Sequence, residues 1–168
     1  MSSEPDVSGF DALPPEEVES LLTACLPVPR WVAQVAAGRP YAEWPTLLTA
    51  ADAAAADLSD DELAAALAGH PRIGERARGP EQQGELSEHE QSGVDAGDVE
   101  VARALAAGNA AYEQRFERVF IIRAAGRDAT EVLAELDRRL GNDDDTERAE
   151  TVDQLREIAL IRLRQAVS

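Results

Sequence analysis

The 168-residue chain contains no lysine; all 16 of its basic residues are arginine. That absence excludes a Schiff-base lysine for pyridoxal phosphate chemistry and the lysine of a phosphate-binding P-loop. A single cysteine, Cys25, excludes an internal disulfide and any Cys-x-x-Cys redox or zinc site. With Leu21, Leu22 and Leu26 beside it, Cys25 reads as a core thiol. The only two histidines, His70 and His89, are a poor metal-ligand set, and no metal is expected. Aromatics are 4% of the chain, so the core has to be mostly aliphatic. No apolar run reaches the roughly 18 residues of a membrane span. Met1 to Phe10 lacks the basic and apolar regions of a secretory signal, and the C-terminus is not a peroxisomal address. The expected location is the cytoplasm.

Acid is plentiful. There are 33 acidic residues against 16 basic, a net charge of −17. Such a surface repels phosphate backbones and anionic bilayers, which argues against nucleic-acid and membrane partners. The 31 alanines and 44% hydrophobic content favour tightly packed helices.

Helical signals run almost the whole length. Residues 1–12 are polar and read as a flexible terminus, with one domain over 13–168. Pro14 and Pro15 open a segment in which Val18, Leu21, Leu22 and Cys25 recur at helical spacing, and Pro27 and Pro29 end it. Trp31, Val32 and Val35 suggest a second helix closed by Gly38, and Trp44 to Leu58 a third. Ser59-Asp-Asp-Glu62 is a capping box, and Gly69 a C-terminal stop. Residues 69–86 break the pattern with glycine and proline. Helix returns briefly at Ser87, then over Val99 to Arg123, from the capping sequence at Asp128 to Leu140, and from Ala149 to Val167. Phe120-Ile-Ile122 is the one β-like run, and it lies within a helical pattern. The expectation is an all-α, single-domain bundle of seven or eight helices.

Few residues carry chemistry. His70 lies in Gly69-His-Pro-Arg-Ile-Gly74, where Pro71 restricts its backbone and the glycines admit a close neighbour. It suits general acid–base work near neutral pH, or merely plugs a helix end. Ser87 and Glu90 stand three apart, as a capping box or as a polar pair at a helix N-terminus. His89, between two glutamates, reads as a solvated surface residue. On the last helix Val152, Leu155, Ile158, Ala159, Leu163 and Ala166 form an apolar arc, and Arg162 falls inside it, with Arg164 on the opposite side. A buried arginine needs a carboxylate or an anionic ligand. Asn109 likewise falls on the face of Leu105, Tyr112 and Phe116, where its amide needs a partner.

Together Gly69-His-Pro-Arg-Ile-Gly74, Ser87-Glu-His-Glu-Gln91, Asn109-Ala-Ala-Tyr112 with Phe116, Phe120-Ile-Ile-Arg-Ala-Ala-Gly-Arg127, Glu131 and Arg139-Leu-Gly-Asn142 resemble the 2-oxo-4-hydroxy-4-carboxy-5-ureidoimidazoline decarboxylase family. The likeness spans Leu13 to Val167. It implies an all-helical, cofactor-free enzyme, commonly a homodimer, that takes a small anionic substrate late in urate breakdown and forms (S)-allantoin and CO2. It implies His70 as the catalytic histidine, with Glu90 assisting. Pro71, Ser87, the backbone of Ile121, Ile122 and Arg123, and Arg162 are implied as substrate contacts. Two departures stand out: Leu86 where many members have tryptophan, and Glu117 where glycine is common. The second is expected to bear only on a helix surface. The competing reading from composition alone is a non-catalytic acidic interaction module.

Overall fold

The computed structural model describes residues 4–68, 70 and 99–167. Among them are eight α-helices and no strand. These are α1 (Ser8–Ala12), α2 (Pro15–Cys25), α3 (Pro29–Ala37), α4 (Trp44–Ala55), α5 (Asp60–Ala68), α6 (Val99–Phe116), α7 (Ala129–Leu140) and α8 (Asp144–Val167). The all-α expectation holds. The chain forms two compact units, one of residues up to Ala66 with those from Arg156 onward, the other Leu67–Leu155.

In the first unit, helix begins earlier than the expected domain start at Leu13. Phe10 of α1 is buried, and Asp11 accepts the backbone N–H groups of Tyr41 and Ala42, each at 2.9 Å. Arg39 donates to the carbonyls of Phe10 at 3.1 Å and Leu13 at 2.7 Å, so a cation sits at the carbonyl end of α1. Pro15 stands at the first position of α2, with Glu16 and Glu17 in the first turn. Pro29 does not end a helix; it opens α3, for the same reason that Pro15 opens α2. α3 packs against α2 and α4. Trp31 is fully buried there, with its indole N–H donating to the Ala51 carbonyl at 2.9 Å. α4 ends at Ala55, slightly short of Leu58. Ser59 and Glu62 form the reciprocal capping box: Glu62 N–H to Ser59 Oγ is 3.1 Å and Ser59 N–H to Glu62 Oε1 is 2.9 Å. Cys25 is buried.

In the second unit, α6 packs on α7 around Leu105, Tyr112, Phe116, Phe120, Ile122, Val132 and Leu136. The approach is close because Gly108 faces Leu136: a Cβ there would stand 2.5 Å from a Leu136 methyl. α7 opens on Asp128, whose Oδ1 accepts the Glu131 N–H at 2.8 Å, and closes on Gly141, both as the sequence predicts.

Two helix ends of this unit differ from expectation. α6 stops at Phe116 rather than Arg123, because Glu117 turns left-handed at φ 58°. Phe120-Ile-Ile122 therefore lies in an irregular segment, not a helix. α8 begins at Asp144 rather than Ala149. Asp143 caps it, accepting the Thr146 N–H at 2.7 Å, and the acids at 144, 145 and 147 complement its positive N-terminus. The stretch 142–146, expected as an acidic loop, is thus largely the first turn of a helix.

Candidate active site

His70 follows the end of α5, and its N–H donates to the Leu67 carbonyl at 3.0 Å. The residue is 9% exposed, and ring Nε2 is shielded from solvent. A helix terminus thus fixes the backbone while the imidazole is withdrawn from water.

Segment 117–128 is pinned by side chains from α7 and α8. Arg139, 1% exposed, donates from Nη1 to the Ile121 carbonyl at 2.7 Å. Its Nε contacts both oxygens of Glu147, at 2.7 and 2.9 Å, and Nη2 reaches Thr151 Oγ1 at 3.2 Å. Its guanidinium carbon lies 4.6 Å from the centre of the Phe120 ring. The Tyr112 hydroxyl donates to Glu147 Oε2 at 3.0 Å. Burial pushes the Tyr112 phenol up to about 12, and the neighbouring Glu147 carboxylate works in the same direction. Further along, the Arg123 N–H donates to Gln154 Oε1 at 2.8 Å. The Arg123 side chain folds back on its own loop, with Nη1 on the Ala125 carbonyl at 3.0 Å. Ile121 and Ile122 are both buried.

Arg162 lies in the first unit. It is fully buried, and Nη1 donates to the Ala24 carbonyl at 3.3 Å. Val152, Leu155, Ile158, Ala159 and Leu163 are buried as the arc requires; Ala166 is exposed and does not belong to it. Arg164 is half-buried against Trp44, with 5.9 Å from its guanidinium carbon to the ring centre. The periodicity separates the two arginines correctly. Asn109 is buried on α6.

The structure places His70, Ile121, Ile122 and Arg123 in the second unit and Arg162 in the first. Pro71, Arg72, Leu86, Ser87, His89 and Glu90 lie outside the described residues. A cavity of about 300 Å³ opens in the first unit beside Glu19, Thr23, Val28 and Val32, and no predicted site residue lines it. Among the described residues no cluster of His, Cys, Asp and Glu side chains could hold a metal ion. No helix among them is long and apolar enough to cross a membrane.

The family profile described as OHCU decarboxylase matches residues 11–164. The chain belongs to that family. OHCU abbreviates the ureidoimidazoline substrate in the family's name. In fold the chain is similar to a crystal structure of OHCU decarboxylase in the presence of (S)-allantoin. There the TM-score is 0.67 and identity 22%, over 85% of this chain and 94% of that one. It is also similar to a crystal structure of (S)-allantoin synthase, with TM-score 0.71 and 17% identity, over 96% of this chain and 54% of that one. The chain thus spans about half the length of the second structure. No curated protein sequence matches it.

Sequence reasoning placed Arg139 in a motif without a role, and missed Glu147, Thr151 and Gln154. A signal existed for Arg139. Val132, Leu136 and Arg139 share one face of α7, the same intrusion of an arginine into an apolar arc that marked Arg162. For Glu147 the signal was hidden, because its segment read as a solvated acidic loop.

Proposed function

We propose that the protein catalyses the cofactor-independent decarboxylation of 2-oxo-4-hydroxy-4-carboxy-5-ureidoimidazoline to (S)-allantoin and CO2. The family match across residues 11–164 carries the reading. The burial of His70 and Arg162, two polar groups that an ordinary core would exclude, supports it.

The chemistry asks little of the protein. The bond from C4 to the carboxylate breaks, and its electron pair becomes a C4–C5 double bond as the C5 imine electrons move onto ring nitrogen, which takes a proton. The resulting enol gains a proton at C5 on one face and loses its hydroxyl proton to become the C4 carbonyl. The enzyme binds an anion, excludes water and chooses the face. In this reading Arg162 holds carboxylate or carbonyl oxygens. His70 exchanges the hydroxyl proton. Glu90 orients His70 or accepts ureido N–H groups, and Ser87 hydrogen-bonds the ring. Pro71 is a further substrate contact in this reading. With the Arg123 amide committed to Gln154, ring contact from that segment falls to Ile121 and Ile122. The reading includes a homodimer in the cytoplasm, and sedimentation of the purified protein tests the dimer.

The deciding measurement is circular dichroism of the allantoin formed from freshly generated substrate. Spontaneous decay gives racemic product, so handedness reports the enzyme where substrate loss does not. Wild-type protein should give (S)-allantoin. His70→Ala should lose the handedness and about 10²–10⁴-fold in rate. Racemic product at the spontaneous rate from folded wild type would restore the interaction-module reading.

A further inference from the structure

The peptide unit is planar and trans, so a carbonyl and the N–H of the next residue point in opposite directions. Holding one aims the other. Arg139 Nη1 holds the Ile121 carbonyl at 2.7 Å, which turns the Ile122 N–H away from the guanidinium. Gln154 Oε1 holds the Arg123 N–H at 2.8 Å, which turns the Ile122 carbonyl away from the Gln154 amide. The first holder is itself fixed. Arg139 is locked by Glu147, Thr151 and the Phe120 ring. Gln154 lies three residues beyond Thr151 on α8.

We infer that Arg139 and Gln154 are positioning residues that set Ile122 as a donor–acceptor pair, N–H and C=O, for the urea-like edge of a ring substrate. A cyclic ureide offers the complementary carbonyl and N–H. The inference rests on the proposed function, in which this segment touches the substrate ring. Side-chain anchors suit the task because segment 117–128 belongs to no helix or sheet that would otherwise fix its peptide planes.

The test uses Gln154, which is half-buried and whose removal leaves the Arg139–Glu147 pair intact. Gln154→Met keeps length and removes the strong acceptor; Gln154→Glu keeps an acceptor. Three readings are taken on the full-length protein: amide hydrogen exchange at Arg123, KM and kcat with fresh ureidoimidazoline, and the handedness of the allantoin. Gln154→Met should speed Arg123 exchange, raise KM about 3- to 10-fold, the worth of one hydrogen bond, and erode the (S) excess. Gln154→Glu should restore both the exchange protection and the (S) excess. Simple loss of stability would lower the active fraction and leave KM unchanged, and the (S) excess would return once enzyme is added to match the wild-type rate. Folded Gln154→Met with wild-type KM and handedness would overturn the inference, as would equal loss of handedness in both variants. Racemic product from wild type overturns the proposed function itself, so the two failures are told apart in one experiment.

Discussion

Arg139 Nε sits against both carboxylate oxygens of Glu147, at 2.7 and 2.9 Å, with side chains 1% and 0% exposed. A charge pair this deep has given up its hydration, so its net worth is modest while the cost of breaking it is large. Glu147→Leu leaves a buried guanidinium with the Ile121 carbonyl, the Thr151 hydroxyl and the Phe120 ring but without its carboxylate. It should destabilise by about 3–5 kcal/mol in urea unfolding. Arg139→Met with Glu147→Leu should recover much of that loss, because no charge is left unpaired. If the double variant is as unstable as the sum of the singles, the pair is not the reason for the cost.

Tyr112 gives a pH dependence that the lack of lysine makes unusually clean. Its phenol is pushed up to about 12 in the fold, against about 10 in the unfolded chain. The unfolded state therefore loses this proton first as pH rises. Stability is unaffected below pH 10 and falls between about 10 and 12, by up to about 2–3 kcal/mol. Ordinarily lysines titrate in the same window; here there are none. Tyr41 is raised in the same direction by burial and by Asp11, so it adds to the slope. Urea midpoints from pH 9 to 11.5 should decline in wild type and flatten in Tyr41→Phe with Tyr112→Phe. An unchanged slope in that variant would assign the alkaline loss elsewhere.

Glu117 holds φ at 58°, a left-handed conformation in which a Cβ costs roughly 1–2 kcal/mol. It is the residue directly after α6, where helices often close with glycine. Glu117→Gly should stabilise by about 1 kcal/mol, the relief of strain less glycine's greater unfolded-state entropy. Thermal unfolding checks this. A fall in stability would mean the carboxylate contributes more than its backbone costs.

Helix content, the two clearest capping sequences and the split between Arg162 and Arg164 were legible in the sequence because each depends on residues within a turn or two of one another. The end of α6 was not. Apolar spacing continues smoothly through Phe116 and Phe120, and periodicity carries no record of a left-handed residue between them. Position 117 is where the helix stops: Glu117 is expected to bear only on a helix surface, yet its left-handed backbone ends α6. The anchors at Ile121 and Arg123 were hidden for another reason. They join residues 18 and 31 positions apart, and a main-chain group held by a distant side chain leaves no local pattern.

Arg162 and Arg164 offer the sharpest contrast between neighbours. Arg162 is fully buried and reaches the Ala24 carbonyl at 3.3 Å, while Arg164 rests on Trp44 at the half-open surface. If Arg162 holds substrate oxygens, its planar fork matters as much as its charge. Arg162→Lys should keep the cation out of water yet lose one of two parallel hydrogen bonds, raising KM about 10-fold or more, since bonds to charged groups are worth about 1.5–3 kcal/mol. Arg164→Ala should cost only about 0.5–1 kcal/mol of stability, the value of an exposed cation–π contact, with KM unchanged. Steady-state kinetics beside urea unfolding separates binding from folding in both variants. A raised KM in Arg164→Ala alongside wild-type KM in Arg162→Lys would exchange their roles.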